Sequence, residues 1–386
     1  MEAKGEIETM SYRKNEIIYA FPNGDTLRKY YKGLILEFAT PRLVLSTSVL
    51  NGGIRTDLDA VFNYNCLADE YSCELIGETY EQQLGRNAAD LGLAGKKVSG
   101  MSTAAWMELA SVKTERFMEL EVTAVVTGGV DSNGVRVEDP AGYYEKAGEY
   151  VLLKPGTINI MLWINQNLMP GTLARALVTC SEAKVTAVEE LMIGSLYSEG
   201  IATGSGTDGT IIICDSQAEE TLTDAGEHAK LGELIGKAVH GAVKEALLKQ
   251  TGANGARQHK VTERLKRYRV TLSSLWEFYE ENLDYFKEYP KASLSFMEER
   301  LERVNTYSSL IIWCSYYTHL LDQYRYELLE WAEVLREAKV LIRSLFLQYG
   351  MKDVEYRYEL RKDREVLTEL TDMLRYAMVT LLFLFE

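Results

Sequence analysis

Between Gly156 and Asp208 the chain reads GTINIMLWIN, a Pro-Gly break, a long amphipathic stretch, a short turn, and then ATGSGTD before TIIIC. That succession leaves room for strand, helix, loop and strand, and for little else. β-Branched and aromatic residues fill the first run. Pro170-Gly171 suits a helix start, because a proline at the first helical position gives up an N–H that has no partner there anyway. The helix is expected to run to about Leu191. At about 100° per residue, Leu173, Leu177, Cys180, Ala187, Val188 and Leu191 form one apolar stripe. Lys184 falls near the centre of it, whereas Glu182 falls almost opposite, with Arg175 and Glu189. A buried ammonium needs a partner, and Asp208 is a carboxylate available on the following loop. The pair reads either as functional or as a structural salt bridge.

Length and composition set the frame. The 386 residues can bury a substantial core, and the length suggests two or three domains. A formal net charge of −15 argues against nucleic acid as the main partner. The acidity is uneven: residues 1–250 carry 22 basic and 35 acidic side chains, residues 251–386 carry 20 and 22. This shift places a domain boundary near residue 250. Residues 1–250 mix strands and helices, as in an α/β or α+β domain. TGANGARQ (251–258) reads as a linker, and residues 259–386 read as a bundle of three or four helices. Trp276, Trp313 and Trp331 there are expected to pack in the core, an aromatic ligand site being the alternative.

The five cysteines, Cys66, Cys73, Cys180, Cys214 and Cys314, show no C-x-x-C pair and are expected to be reduced thiols in a cytoplasmic protein. The first residues lack the apolar core of a signal peptide, and no apolar run reaches the roughly 20 residues of a membrane span. No His/Cys/carboxylate cluster has convincing metal-ligand spacing, so no metal site or cofactor is identified, and a metal requirement stays open.

Further candidates come from glycine and histidine positions. Asn51-Gly52-Gly53 breaks an extended run where φ > 0 or close backbone approach is needed. Thr203-Gly204-Ser205-Gly206-Thr207-Asp208 offers unshielded N–H groups that suit an oxyanion, or else forms a plain turn. His228 is placed at the start of the next helix on its inner face, where the helix dipole favours neutral imidazole. It reads as a general base or as a capping, packed residue. His240 is expected on the solvated face, with His259 and His319 away from these motifs.

Taken together, GTINI, TCSEAK, ATGSGTD and AGEHAKLGELIGKAV resemble, in order, the motifs of the adenosylcobinamide amidohydrolase family. LVLSTSVLNGG and VVTGGVDSNGVRVEDPA match its upstream segments. The resemblance spans about residues 16–250. Cys180-Ser181 and Ser205 depart from its usual Ala-Thr and Thr, small residue for small residue, and Gly129 departs from its Ala-Gly pairing. The resemblance implies hydrolysis of the amide joining the propionyl side chain of the corrin ring to aminopropanol, giving adenosylcobyric acid. On its motif positions, Asn51, Gly52, Gly53, Asn159, Glu182, Thr203, Gly204, Gly206 and Thr207 are expected to bind the corrinoid. Lys184, Asp208 and His228 are the catalytic candidates, on the helix geometry above. A fainter similarity to ornithine acetyltransferases and β-peptidyl aminopeptidases implies an αββα sandwich, without a cleavage junction to go with it. A non-catalytic corrinoid-binding or regulatory protein is the alternative. A homo-oligomer through the helical region is a further expectation.

Overall fold

A computed structural model describes residues 15–67, 79–141, 156–350, 358–361 and 365–385. The chain forms two compact units, Met1–Asn254 and Gly255–Glu386.

The first unit is built on two mixed sheets. One has the order β1 (Glu16–Ala20), β2 (Thr26–Lys29), β3 (Gly33–Glu37), β6 (Ala60–Asn65), β7 (Val98–Thr103). The other runs β5 (Gly53–Arg55), β4 (Leu43–Ser46), β14 (Gly209–Cys214), β11 (Ile158–Ile164), β9 (Leu120–Gly128), β8 (Ser111–Phe117). Two-stranded pieces join β10 (Gly134–Val135) to β13 (Gly204–Ser205) and β12 (Asn167–Leu168) to β15 (Thr221–Leu222). Helices α1 (Tyr80–Asp90), α2 (Pro170–Glu190) and α3 (Lys230–Thr251) complete the unit.

Strand alternation decides what each face meets. On β11, Met161 and Trp163 share one apolar cluster with Leu34, Leu36 and Val61 of the five-stranded sheet. Ile158, Ile160, Leu162 and Ile164 point the other way, onto Leu173, Ala176 and Cys180 of α2 and Ile235 and Ala238 of α3. The outer face of the five-stranded sheet packs Phe62 and Val98 against Leu84 and Ala88 of α1. With both faces covered, β11 is buried along its whole length. This explains why it reads as a continuous apolar run. β11 and β14 pair in parallel, which requires a crossover connection. α2 supplies it, with Pro170 in its first turn.

At one end of the inter-sheet space a buried charged cluster ties the chain together. The Arg42 guanidinium, 1% exposed, donates to Asp25 Oδ1 and Oδ2 at 2.9 and 2.8 Å and to Asp215 Oδ1 at 2.9 Å. Trp163 Nε1 also donates to Asp25 at 3.0 Å. The ions come from the β1–β2 turn, the start of β4 and the end of β14.

The boundary between the two units falls inside residues 251–258, where α3 runs to Thr251, Gly252 caps it with φ 69°, and Gly255–Gln258 forms a helical turn. Some expectations need correction. The helical unit holds more than three or four helices. Leu272–Glu281, Leu294–Val304, Ser308–Arg325, Trp331–Gln348 and Val366–Leu384 are its longer helices. The apolar period runs on across their ends, but polar caps cut it: a Thr271–Ser274 capping box, Ser293, and a Glu330–Glu333 capping box. Aromatic rings such as Tyr279, Phe286, Tyr376 and Phe383 stack into that unit's core. Trp313 and Tyr317 are buried there, and Trp276 and Trp331 pack at its edge. Cys66 is disulfide-bonded, against the expectation of five reduced thiols. Cys180, Cys214 and Cys314 are free and buried, whereas Cys73 lies outside the described residues. Among the described residues no helix is long and apolar enough to cross a membrane.

Removing one member of a buried ion cluster strands its partners. Arg42→Ala is therefore expected to cost about 3–5 kcal/mol in denaturant unfolding of the first unit. A loss below about 1 kcal/mol would contradict the bracing role given to this cluster.

Candidate functional site

Lys184 and Asp208 meet where α2 passes the loop that opens β14. Nζ and Oδ2 are 2.5 Å apart, and the side chains are 16% and 13% exposed. The lysine thus lies on the inward face of α2, as its stripe position implied, yet its head reaches the rim of the apolar core rather than the interior. Asp208 gathers donors from three segments. Oδ1 accepts from the backbone N–H of Ile158 at 2.8 Å and from the Ser205 hydroxyl at 2.6 Å. The Ser205 N–H reaches Oδ1 and Oδ2 at 3.2 and 3.1 Å. An ionised carboxylate offers about four lone-pair sites, so this one is fully engaged and its orientation is fixed.

The loop sequence follows from that crowding. A Cβ on Gly204 would stand 2.2 Å from Asp208 Oδ2 and 2.7 Å from Lys184 Nζ, so only glycine lets the backbone pass. Thr203 is held on both sides: its N–H donates to the Val135 carbonyl, and its hydroxyl accepts from the Val137 N–H. Thr207 Oγ1 donates to the Gly156 carbonyl at 3.0 Å and lies 2.6 Å from Thr157 Oγ1. Gly206 is exposed, and its N–H makes no hydrogen bond among the described residues. Lys184, Asp208, Thr203, Gly204, Gly206 and Thr207 therefore form one constellation.

The other predicted residues stand elsewhere. Asn159, 2% exposed, lies between the sheets. Its amide donates to Asn63 Oδ1 at 2.8 Å and to the Ser102 carbonyl at 3.0 Å, and Asn63 in turn donates to Thr127 Oγ1. It acts as a strut beside the site, one residue along from Ile158. Asn51 adopts φ 49° and donates to the Val98 carbonyl, and a Cβ on Gly52 would collide with the Ser48 carbonyl at 1.9 Å. Gly53 has φ 77° and open space around it. These three shape a turn that ties β4 to β7.

Glu182 is exposed on the outer face of α2. Hydrogen bonding with Glu227 raises its pKa, while Glu227, also paired with Arg175, is held down at about 2. His228 corrects an expectation. α3 begins at Lys230, so His228 falls in the preceding turn, closed by the Ala229 N–H on the Gly226 carbonyl, and is exposed. No hydrogen bond joins it to Lys184 or Asp208 among the described residues. His240 lies half-buried on α3, with Nε2 2.8 Å from a Glu190 carboxylate.

Sequence reasoning passed over two groups at this site. From sequence, Ser205 stands out only as a small-for-small departure from the family's Thr. Asn133, buried, donates to the Gly156 carbonyl at 3.0 Å and accepts from the Tyr197 hydroxyl at 3.3 Å. Neither has a periodic signature, although the hydroxyl at position 205, kept where the family has Thr, was a signal for the first. Among the described residues no cluster of three or more His, Cys, Asp or Glu is placed to hold a metal ion. Cys180, one turn before Lys184, is no alternative nucleophile, since burial pushes its thiol up to about 12. The constellation offers a fixed carboxylate, an ammonium in contact with it, a hydroxyl on the same carboxylate and a free N–H. Those are the parts an acyl-transfer site uses.

Comparison with known proteins places the chain. An uncharacterized protein of Methanocaldococcus jannaschii, MJ1613, is 36% identical over 239 residues, which are 57% of this chain and 87% of that relative. A Burkholderia sp. β-aminopeptidase is similar at TM-score 0.29 and 13% identity, over 56% of this chain and 78% of its own. The l-aminopeptidase d-Ala-esterase/amidase of Ochrobactrum anthropi gives 0.27 and 12%, over 61% and 83%. Structural likeness at that level is too weak to transfer any role. The adenosylcobinamide amidohydrolase model, CbiZ, matches residues 19–255, including every motif that builds the Lys184–Asp208 constellation, and the chain belongs to that family.

Proposed function

We propose that the first unit hydrolyses the amide that links the corrin propionyl arm of adenosylcobinamide to aminopropanol, releasing adenosylcobyric acid. Family membership supports the substrate class. The observation that carries the reading is the Lys184–Asp208 contact at 2.5 Å on the glycine-rich loop. The order of α1, two sheets and the α2–α3 pair supports an αββα arrangement for this unit.

An unactivated amide needs charge stabilisation at the carbonyl oxygen and a proton for the departing amine. The Gly206 N–H is free for the first task, an effect of about 3–4 kcal/mol for one well-placed donor. In the second, Asp208 takes the proton of the attacking group and Lys184 delivers one to the leaving nitrogen. The 2.5 Å contact lets the pair exchange that proton, so both end the cycle as they began. Thr203, Gly204 and Thr207 hold the loop in shape, and the Asn159–Asn63 strut holds β11 against the other sheet. His228, exposed beyond hydrogen-bonding reach of the pair, has no step in this scheme.

Incubation with adenosylcobinamide, followed by chromatography, is expected to give adenosylcobyric acid and aminopropanol. Tight binding with no product would instead support a corrinoid-binding or regulatory protein. Lys184→Ala and Asp208→Asn are each expected to lower kcat by at least about 100-fold. His228→Ala is expected to retain kcat within about threefold, and a loss comparable to that of Lys184→Ala would return His228 to the chemistry.

A further inference from the structure

Cleavage of the amide requires a nucleophile at the carbonyl carbon. We propose that the Ser205 hydroxyl is the nucleophile and that the amide is cleaved through a covalent ester on Ser205, an inference that rests on the amide-hydrolase reading above. Among the described hydroxyl and thiol groups, Ser205 alone is hydrogen-bonded to Asp208, at 2.6 Å. Thr207 is engaged with Thr157 and the Gly156 carbonyl. Cys180 is fully enclosed in the core beneath α2.

Three further observations fit a nucleophile. Ser205 is 8% exposed, so it sits at the edge of the core and not within it. Among the described residues its oxygen accepts only the long Thr207 N–H contact at 3.3 Å, which leaves one lone pair of the hydroxyl uncommitted there. The next residue is Gly206, whose free N–H stands in the place where many serine hydrolases form half of the oxyanion hole. Base, hydroxyl and oxyanion donor thus lie within the four residues Ser205–Asp208, with Lys184 as the acid.

The chemistry balances without any other reactant than water. Ser205 Oγ bonds to the amide carbon as its proton passes to Asp208, and the oxyanion settles on the Gly206 N–H. The C–N bond then breaks, the amine leaves with a proton from Lys184, and the proton on Asp208 moves to Lys184. Water next attacks the ester, giving its proton to Asp208. The C–Oγ bond breaks, Ser205 regains that proton, and the corrinoid carboxylic acid departs, giving its remaining proton to solvent.

The full-length protein and adenosylcobinamide supply the test. Acid quenching during the first turnover is expected to leave the corrinoid acyl group on the peptide that contains Ser205, seen by mass spectrometry. Added hydroxylamine is expected to divert product to the corrinoid hydroxamate. Ser205→Ala is expected to lose at least about 1,000-fold in kcat while still binding corrinoid, and Ser205→Thr to recover turnover. A Ser205→Ala protein within about tenfold of the parent would overturn the proposal while leaving the hydrolase reading intact. An inactive Ser205→Ala, with neither adduct nor hydroxamate from the active parent, would also overturn it and reduce Ser205 to a positioning residue. A parent protein that releases no aminopropanol would overturn the hydrolase reading itself, and the nucleophile with it.

Discussion

One carboxylate holds the functional end of this unit together. Asp208 accepts from the Ile158 N–H on β11, from Lys184 on α2, and from the backbone and hydroxyl of Ser205 on its own loop. Strand, crossover helix and loop are therefore fixed to each other at one point. The 2.2 Å clearance that forbids a Cβ on Gly204 measures how closely the loop is drawn in. A charged group so tightly engaged is ordinarily a structural device. Here the partners are themselves a proton donor and a hydroxyl, at a partly open rim, so rigidity and chemistry share the same bonds.

The space between the sheets shows two different uses of buried polarity. At one end Arg42 and Asp25 are enclosed, and Arg42 also reaches Asp215 at the edge of the cluster. At the other, Asn159 and Asn63 bridge the sheets by amides and leave the carboxylate of Asp208 near solvent. Charged groups enclosed as the first set is cost much to separate. The arrangement suits an anchor at one end and a working edge at the other, with the apolar cluster of Met161, Trp163, Ile211 and Ile213 between them.

Much of this was legible because periodicity is a local property. The stripe on α2 placed Lys184 inward, and the same pattern placed Glu182 outward, where it stands. The continuous run of β11 announced a strand covered on both faces. Features set by closure in three dimensions were not legible. His228 looked like the first turn of a helix because EHAKLGELIG carries the period. Yet the Ala229 N–H closes a turn on the Gly226 carbonyl, and the helix begins only at Lys230. Asn159 and Asn51 were singled out by their motif positions, and the hydrogen bonds they make between strands belong to closure of the fold, which no local pattern shows. Ser205 gave no periodic signal at all, since a hydroxyl acquires a role only from what it touches.

The central claim is that Lys184 and Asp208 act as one unit on an amide bond. A double-mutant cycle on adenosylcobinamide hydrolysis, comparing Lys184→Ala, Asp208→Asn and the combined variant, tests it most directly. The account predicts that the combined variant is about as slow as the slower single variant, a coupling above about 2 kcal/mol. Additive losses, with the combined variant slower by the product of the two factors, would contradict it.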